Sequence, residues 1–65
     1  MTTRTWTVIS TYNGETDLQV MVWRWQRQAY RFVIDWFVDD EQLDTVSVVD
    51  DSGHADSLTL TRHRA

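Results

Sequence analysis

The sequence predicts a small, mainly β domain in which about five antiparallel strands follow one another as a meander, forming a curled sheet or a small barrel. Short segments alternate apolar with polar residues, those segments are rich in β-branched and aromatic residues, and an Asn-Gly pair separates the first two. The 65 residues allow one domain, with residues 1–4 and 63–65 expected to fray. Because no cysteine is present to form a disulfide, we expect a second copy to add stability.

The first two strands are predicted to form a hairpin. Residues 5–12 alternate β-branched with aromatic and small residues, and Asn13-Gly14 follows, which is the strongest short-range signal for a type I′ turn. The second strand then extends from Thr16 to Trp25. The two-residue loop predicts this register: Tyr12 with Glu15, Val8 with Gln19, and Trp6 with Met21.

Residues 24–37 fit two structures. As a strand that follows a turn at Gln26–Ala29, they join the large aromatic side chains into one layer with the first hairpin. This interpretation places Arg24 opposite Arg31, which is an unfavourable pair of like charges. Its register is Trp25 with Tyr30, Trp23 with Phe32, and Met21 with Ile34.

The alternative is a helix from Arg24 to about Phe37, which gives a hairpin–helix–hairpin fold. A period of 3.6 residues gathers the polar residues on one arc and brings Arg31 within reach of Asp35. Against the helix, the segment is rich in β-branched and aromatic residues, and no Ser, Thr, Asp or Asn lies between Leu18 and Ile34 to cap its start. We adopt the strand and keep the helix as the alternative.

The rest of the chain is predicted to form an acidic connection at residues 38–45 and a final hairpin. Strands at Val46–Asp50 and Ser57–Arg62 flank a turn that begins Asp51-Ser52-Gly53. Alternation directs four side chains inward: Val46, Val48, Leu58 and Leu60.

The two strands predicted between Leu18 and Val38 carry apolar residues on both faces. A small antiparallel sheet usually buries one face and leaves the other in water, so the second apolar face predicts association. We expect a homodimer. The predicted oligomer face consists of Leu18, Val20, Val22, Val33 and Phe37.

Charge is distributed unevenly along the chain, whose net charge is −4. Residues 35–56 contain no lysine or arginine, and such a surface would attract a protein partner with a basic groove. We therefore expect a non-enzymatic acidic interaction protein, a regulator or inhibitor that docks on a nucleic-acid-handling protein. The plainer interpretation is a solvated face that keeps the chain soluble. The carboxylates concerned are Asp35, Asp39, Asp40, Glu41, Asp44, Asp50, Asp51 and Asp56.

A second hypothesis is binding of single-stranded nucleic acid. Arginines interleaved with aromatic rings suit phosphates and stacked bases. The rings are equally well explained as core, and the negative net charge opposes binding to phosphate. This alternative site comprises Trp23, Arg24, Trp25, Arg27, Tyr30 and Arg31.

No catalytic, cofactor or metal signature accompanies these features. The serines lie in no nucleophile motif, the only two glycines lie in predicted turns, and the Asp-rich loop near His54 lacks the spacing of a calcium loop. The residues around Met1–Thr7 form no apolar signal segment, and no apolar run is long enough to span a membrane. We therefore expect a cytoplasmic protein that is not an enzyme and uses no cofactor. A structural subunit of a larger assembly remains a third possibility.

Overall fold

A four-stranded antiparallel sheet covered on one face by a single helix forms the structure, a computed structural model that describes residues 3–64. Along the chain the elements are β1 (Arg4–Tyr12), β2 (Glu15–Trp23), α1 (Gln26–Asp39), β3 (Thr45–Asp50) and β4 (Ser57–Thr61). The order across the sheet is β2-β1-β3-β4, so β2 and β4 are the outermost strands. The domain is thus mainly β, as predicted, with one helix.

Both predicted hairpins are confirmed. Asn13 and Gly14 have φ angles of 50° and 84°, as a type I′ turn requires, and the register of β1 with β2 is the predicted one. In the second hairpin, Val48 pairs with Leu58 and Val46 with Leu60. These side chains face inward, so the alternation in the sequence identified the inner face of the sheet correctly.

The predicted turn at Gln26–Ala29 and the third strand from Tyr30 onward are wrong. The helical alternative, predicted from Arg24 to about Phe37, is confirmed as α1. Ala29 and Val33, four residues apart, are fully buried against the sheet. Because a helix places i and i+4 on one side, it covers the inner face, whereas a strand would extend the sheet and leave that face in water. The N-cap residue, Trp25, makes no side-chain cap hydrogen bond, but the Gln28 side-chain Oε1 accepts the backbone N–H of Trp25 at 3.0 Å, as the third helical residue does in a capping box.

The meander order and the five strands are corrected as a result. Strand β3 returns beneath the helix to pair with β1, on the side opposite β2. The sheet is open, with four strands, and does not close into a barrel. Strand β1 is therefore central, and its inward residues Trp6 and Val8 lie in the middle of the core.

The chain ends that the structure describes are held by side chains. Arg4 begins β1, and the Arg64 guanidinium donates to the Asp44 carboxylate at 3.0 Å. The predicted fraying of Met1, Thr2 and Ala65 lies outside the described residues.

Candidate functional site

The outer face of the sheet, opposite the helix, carries no charged residue at any outward-facing strand position. Its residues are aliphatic or bear hydroxyl groups, in a chain of which 25% of residues are charged. Cross-strand hydroxyl contacts, such as Thr11 with Thr45 at 2.6 Å, bind neighbouring strands together. At one end of β3, Asp51 accepts a hydrogen bond from Thr7. The outer face comprises Thr5, Thr7, Ile9, Thr11, Thr16, Leu18, Val20, Val22, Thr45, Ser47, Val49, Ser57, Thr59 and Thr61.

Apolar exposure on the outer face is concentrated on β2. Leu18, Val20 and Val22 are 68%, 71% and 58% exposed, and they follow one another along the outermost strand. Fewer aliphatic side chains point outward on the strands farther from β2, and β4 presents only hydroxyl side chains on the outer face. Three adjacent aliphatic side chains in water form the kind of patch that marks a contact surface.

The structure separates the five residues predicted to form the oligomer face. Val33 is fully buried in the core between helix and sheet. Phe37 is partly buried against the core, and the Arg62 guanidinium lies 4.2 Å above its ring. Only Leu18, Val20 and Val22 remain together on an accessible face, because the helix turns the other two residues inward.

Arginines from outside residues 35–56 pair with several of the predicted acidic residues. Arg4 lies 2.7 Å from Asp56 and 3.3 Å from Asp50. Arg31 lies 3.6 Å from Asp35, and Arg64 lies 3.0 Å from Asp44. The acidic residues also separate into two groups, because Asp44 and Asp50 lie at opposite ends of β3, roughly 20 Å apart.

One acidic group stays together at the end of the helix, and we call it the acidic helix end: Asp35, Asp39, Asp40 and Glu41. Asp35 and Asp39 are exposed on α1, and Asp40 and Glu41 follow at its C-terminus. Asp40 accepts a hydrogen bond from the Tyr12 hydroxyl at 3.1 Å. Carboxylates at this end of a helix oppose the helix dipole, and no basic residue lies in the last turn.

The second acidic group surrounds Asp50, whose side chain is inaccessible to solvent. The Asp50 carboxylate accepts the backbone N–H groups of Ser52 at 2.7 Å and His54 at 3.2 Å, and it faces the Arg4 guanidinium. Burial raises the pKa of Asp50, but these donors and the Arg4 charge outweigh it, so the pKa lies below its ordinary value. These hydrogen bonds and the Arg4 contact account for the structure of the loop after β3, and no ligand is needed to explain it.

We expect folding stability to fall in acid because of Asp50. Its folded-state pKa is below the unfolded value of about 3.9, so its contribution is complete above that value and is lost as the pH falls through the folded pKa. Urea unfolding between neutral pH and pH 3 measures the loss. Asp50→Asn removes part of this pH dependence and lowers stability at neutral pH. Glu15→Gln, at an exposed position of β2, is the control and should change neither. Equal dependence of stability on pH in the two variants would contradict the assignment.

The aromatic and basic residues of the nucleic-acid hypothesis are only partly brought together. Trp23, Arg27 and Arg31 line an open cleft of about 520 Å³ between β2 and α1, with Phe32 5.1 Å from the Trp23 ring between centroids. Arg24 and Trp25 line a different cleft, beside Arg4 and His54. Tyr30 is half-buried, and its hydroxyl donates to the Ser57 carbonyl at 2.8 Å.

Two arginines important for the site region were missed by the sequence reasoning. Arg4 and Arg62 occupy inward-facing positions of the strand alternation, one before Trp6 and the other after Leu60. A charged side chain that faces the inside of a small sheet requires a partner. The alternation of the strands, which places both arginines inward, could therefore have identified them from the sequence. Arg4 meets Asp50 and Asp56, and the Arg62 guanidinium donates to main-chain carbonyls.

Within residues 3–64, no group of three or more His, Cys, Asp or Glu side chains is placed to hold a metal ion. Over the same residues, no helix has both the length and the apolar character needed to cross a lipid bilayer. Comparison with known protein families, with curated proteins and with solved structures finds no match to this chain.

Proposed function

We propose that this chain is a non-enzymatic interaction protein that acts as a homodimer, with β2 as the contact between copies. The proposal rests on the row of exposed aliphatic side chains at Leu18, Val20 and Val22, on a face without charged strand residues. Each copy carries a net charge of −4, so two copies repel over most of their surfaces. The outer face lets them approach without opposing like charges, as a self-complementary contact requires.

In this proposal the acidic helix end docks on a partner protein with a basic groove, as a regulator or inhibitor of a nucleic-acid-handling protein would. Asp39, Asp40 and Glu41 lie at the C-terminus of α1, where the helix dipole disfavours carboxylates, and Arg62 there donates to main-chain carbonyls. A basic partner would offset that unfavourable arrangement. Homodimerisation presents two such ends at once, which strengthens binding to a partner with two basic sites.

We expect Val20→Glu to weaken dimerisation strongly. Val20 is 71% exposed, so the substitution does little to the isolated protomer, but it places a carboxylate in the dimer contact and weakens association by about tenfold or more. Val38→Glu is a matched control, because Val38 is 69% exposed on α1, away from the outer face. Sedimentation velocity compares both variants with the wild type. A wild-type protein that stays at 7.7 kDa up to about 200 µM would refute the homodimer.

Binding of single-stranded nucleic acid is the second candidate, favoured by the cleft at Trp23. There Arg27 and Arg31 flank an aromatic floor, which suits phosphates and a stacked base. Titration of tryptophan fluorescence with an oligonucleotide separates the two candidates. Quenching that weakens steeply with salt and is lost in Arg27→Ala would favour this candidate over the acidic interaction protein.

A further inference from the structure

We infer that the two copies join edge to edge, with β2 of one copy pairing antiparallel to β2 of the other about a two-fold axis through Val20. The two four-stranded sheets thereby become one continuous sheet. This inference rests on the proposed homodimer and specifies its geometry. The alternative geometry is packing of the two outer faces against each other, as in a β-sandwich.

The free edge of β2 offers hydrogen-bonding groups to a second strand. A two-residue loop is closed by a hydrogen-bonded pair, here Tyr12 with Glu15, and hydrogen-bonded positions then alternate along the strand. Strand β2 therefore directs the N–H and C=O groups of its odd-numbered residues towards β1. Those of Thr16, Leu18, Val20 and Val22 point away from the sheet.

The edge of β2 also lacks several of the features that usually prevent such pairing. It is nine residues long, its register with β1 is uninterrupted by a bulge, and it contains no proline or lysine. Its charged residues, Glu15 and Asp17, lie on the helix side of the strand. Edges of this kind are templates for a further strand.

The distribution of apolar residues favours the edge over the face. Face-to-face packing would bury the whole outer face, including β4, where only Ser57, Thr59 and Thr61 point outward. The aliphatic side chains are instead concentrated on the outermost strand. A neighbouring strand placed beside β2 contacts these side chains first and leaves the hydroxyl-rich strands in water.

Pairing about Val20 sets a definite register. Val20 lies opposite Val20 of the second copy, and Leu18 lies opposite Val22, so all three aliphatic positions face aliphatic positions. Positions 18, 20 and 22 all direct their backbone groups outward, so the same register satisfies the hydrogen bonds. On the helix side, Asp17 lies opposite Trp23 of the second copy.

This register also brings opposite charges together. Trp23 lines the same cleft as Arg27 and Arg31, so Asp17 of one copy approaches these arginines of the other. Within the described residues, neither Asp17 nor Arg27 forms an ion pair in its own protomer. The two-fold axis makes each such contact twice, as an isologous interface does.

The contact is short, which predicts a weak and reversible dimer. Seven residues, 17–23, pair along roughly 24 Å of strand, which places the interface at the small end of specific contacts. We expect a dissociation constant in the micromolar range, on the order of 10 µM. Dimerisation is therefore expected to respond to protein concentration.

Cysteine crosslinking tests the register directly, because the chain has no cysteine of its own. In the proposed dimer the two Val20 Cα atoms lie about 5.5 Å apart, within the roughly 4.4–6.8 Å that a disulfide spans. Under mild oxidation we expect Val20→Cys to form a covalent dimer and Val38→Cys to remain monomeric. Leu18→Cys and Val22→Cys should crosslink when mixed, while each alone should not, since each is then displaced from its own copy by about 14 Å along the strand.

The outcomes separate this inference from the proposed function. A wild-type dimer in which Val20→Cys does not crosslink, or in which Leu18→Cys alone crosslinks as well as the mixture, would overturn edge pairing while leaving the homodimer intact. A monomeric wild type would overturn both. Hydrogen exchange gives an independent readout: the amides of Leu18, Val20 and Val22 should gain protection as the concentration rises, and unchanged exchange in a dimer would contradict the inference.

Charge exchange tests the helix-side contact. Asp17→Arg and Arg27→Asp should each weaken the dimer by about two- to fivefold, because each places like charges together at the rim. Combining both substitutions in one chain should restore the wild-type dissociation constant. Val38→Asp, which adds a carboxylate at an exposed position of α1 outside the contact, is the control. Additive losses in the double variant would argue against the register.

Discussion

Replacing Trp6 by alanine is expected to remove most of the folding stability of this protein. The Trp6 side chain is fully buried at the centre of the core, its ring meets Tyr30 edge-on at 6.4 Å, and its indole N–H donates to the Trp23 carbonyl at 3.3 Å. A buried Trp→Ala substitution costs about 3–5 kcal/mol. A domain of this length has a total stability of only about 3–10 kcal/mol, so the variant should be largely unfolded or close to it.

The matched control for Trp6→Ala is Trp25→Ala, because the Trp25 side chain is 52% exposed. Urea unfolding followed by far-ultraviolet circular dichroism measures both without relying on tryptophan fluorescence. Trp25→Ala should lower the free energy of unfolding by less than about 1 kcal/mol. Equal losses in the two variants would contradict the position of Trp6 at the centre of the core.

The second large effect is expected from Arg62→Ala. The Arg62 guanidinium donates to the carbonyls of Leu43 at 3.0 Å, Asp40 at 3.3 Å and Phe37, and it lies over the Phe37 ring. It thus binds the C-terminal carbonyls of α1, which has no basic residue in its last turn. Losing these charge-assisted hydrogen bonds and the cation–π contact should cost about 2–4 kcal/mol.

Two further variants test that role of Arg62. Arg62→Lys keeps the charge but lacks the planar fork of donors, so it should recover only part of the lost stability. Arg24→Ala removes an exposed arginine and should have little effect. Amide exchange at the last turn of α1 should accelerate in Arg62→Ala before the sheet exchanges. If exchange accelerates uniformly over the protein, Arg62 stabilises the whole fold and does not act on the helix end.

The acidic residues could be found in the sequence, but the arginines that surround them in the fold could not. The absence of lysine and arginine from residues 35–56 is plain in the sequence. Arg31 is within four residues of Asp35, but the other ionic partners, Arg4 and Arg64, come from the start and the end of the chain. Antiparallel pairing of β1 with β3 brings Arg4 to Asp50. The sequence alone therefore overstated the continuous negative surface, while the acidic helix end stayed without a basic residue in its last turn.

The predicted oligomer face was likewise only partly found from the sequence. Exposure of Leu18, Val20 and Val22 follows from the alternation of β2, which the Asn13-Gly14 turn sets in register. Val33 was assigned to that face on the assumption of a strand. In the helix it lies on the same side as Ala29 and is fully buried.

Local chemistry in the sequence determined both hairpins, the register of the first and the residues that face inward, because turn geometry and two-residue alternation act between near neighbours. Only the tertiary structure decided that residues 26–39 are helical and that β1 is central. The segment's apolar residues satisfy either period, and its start lacks a capping side chain of the usual kind. The uncovered inner face of the sheet resolved the choice, since a helix buries Ala29 and Val33 against it and a further strand would not.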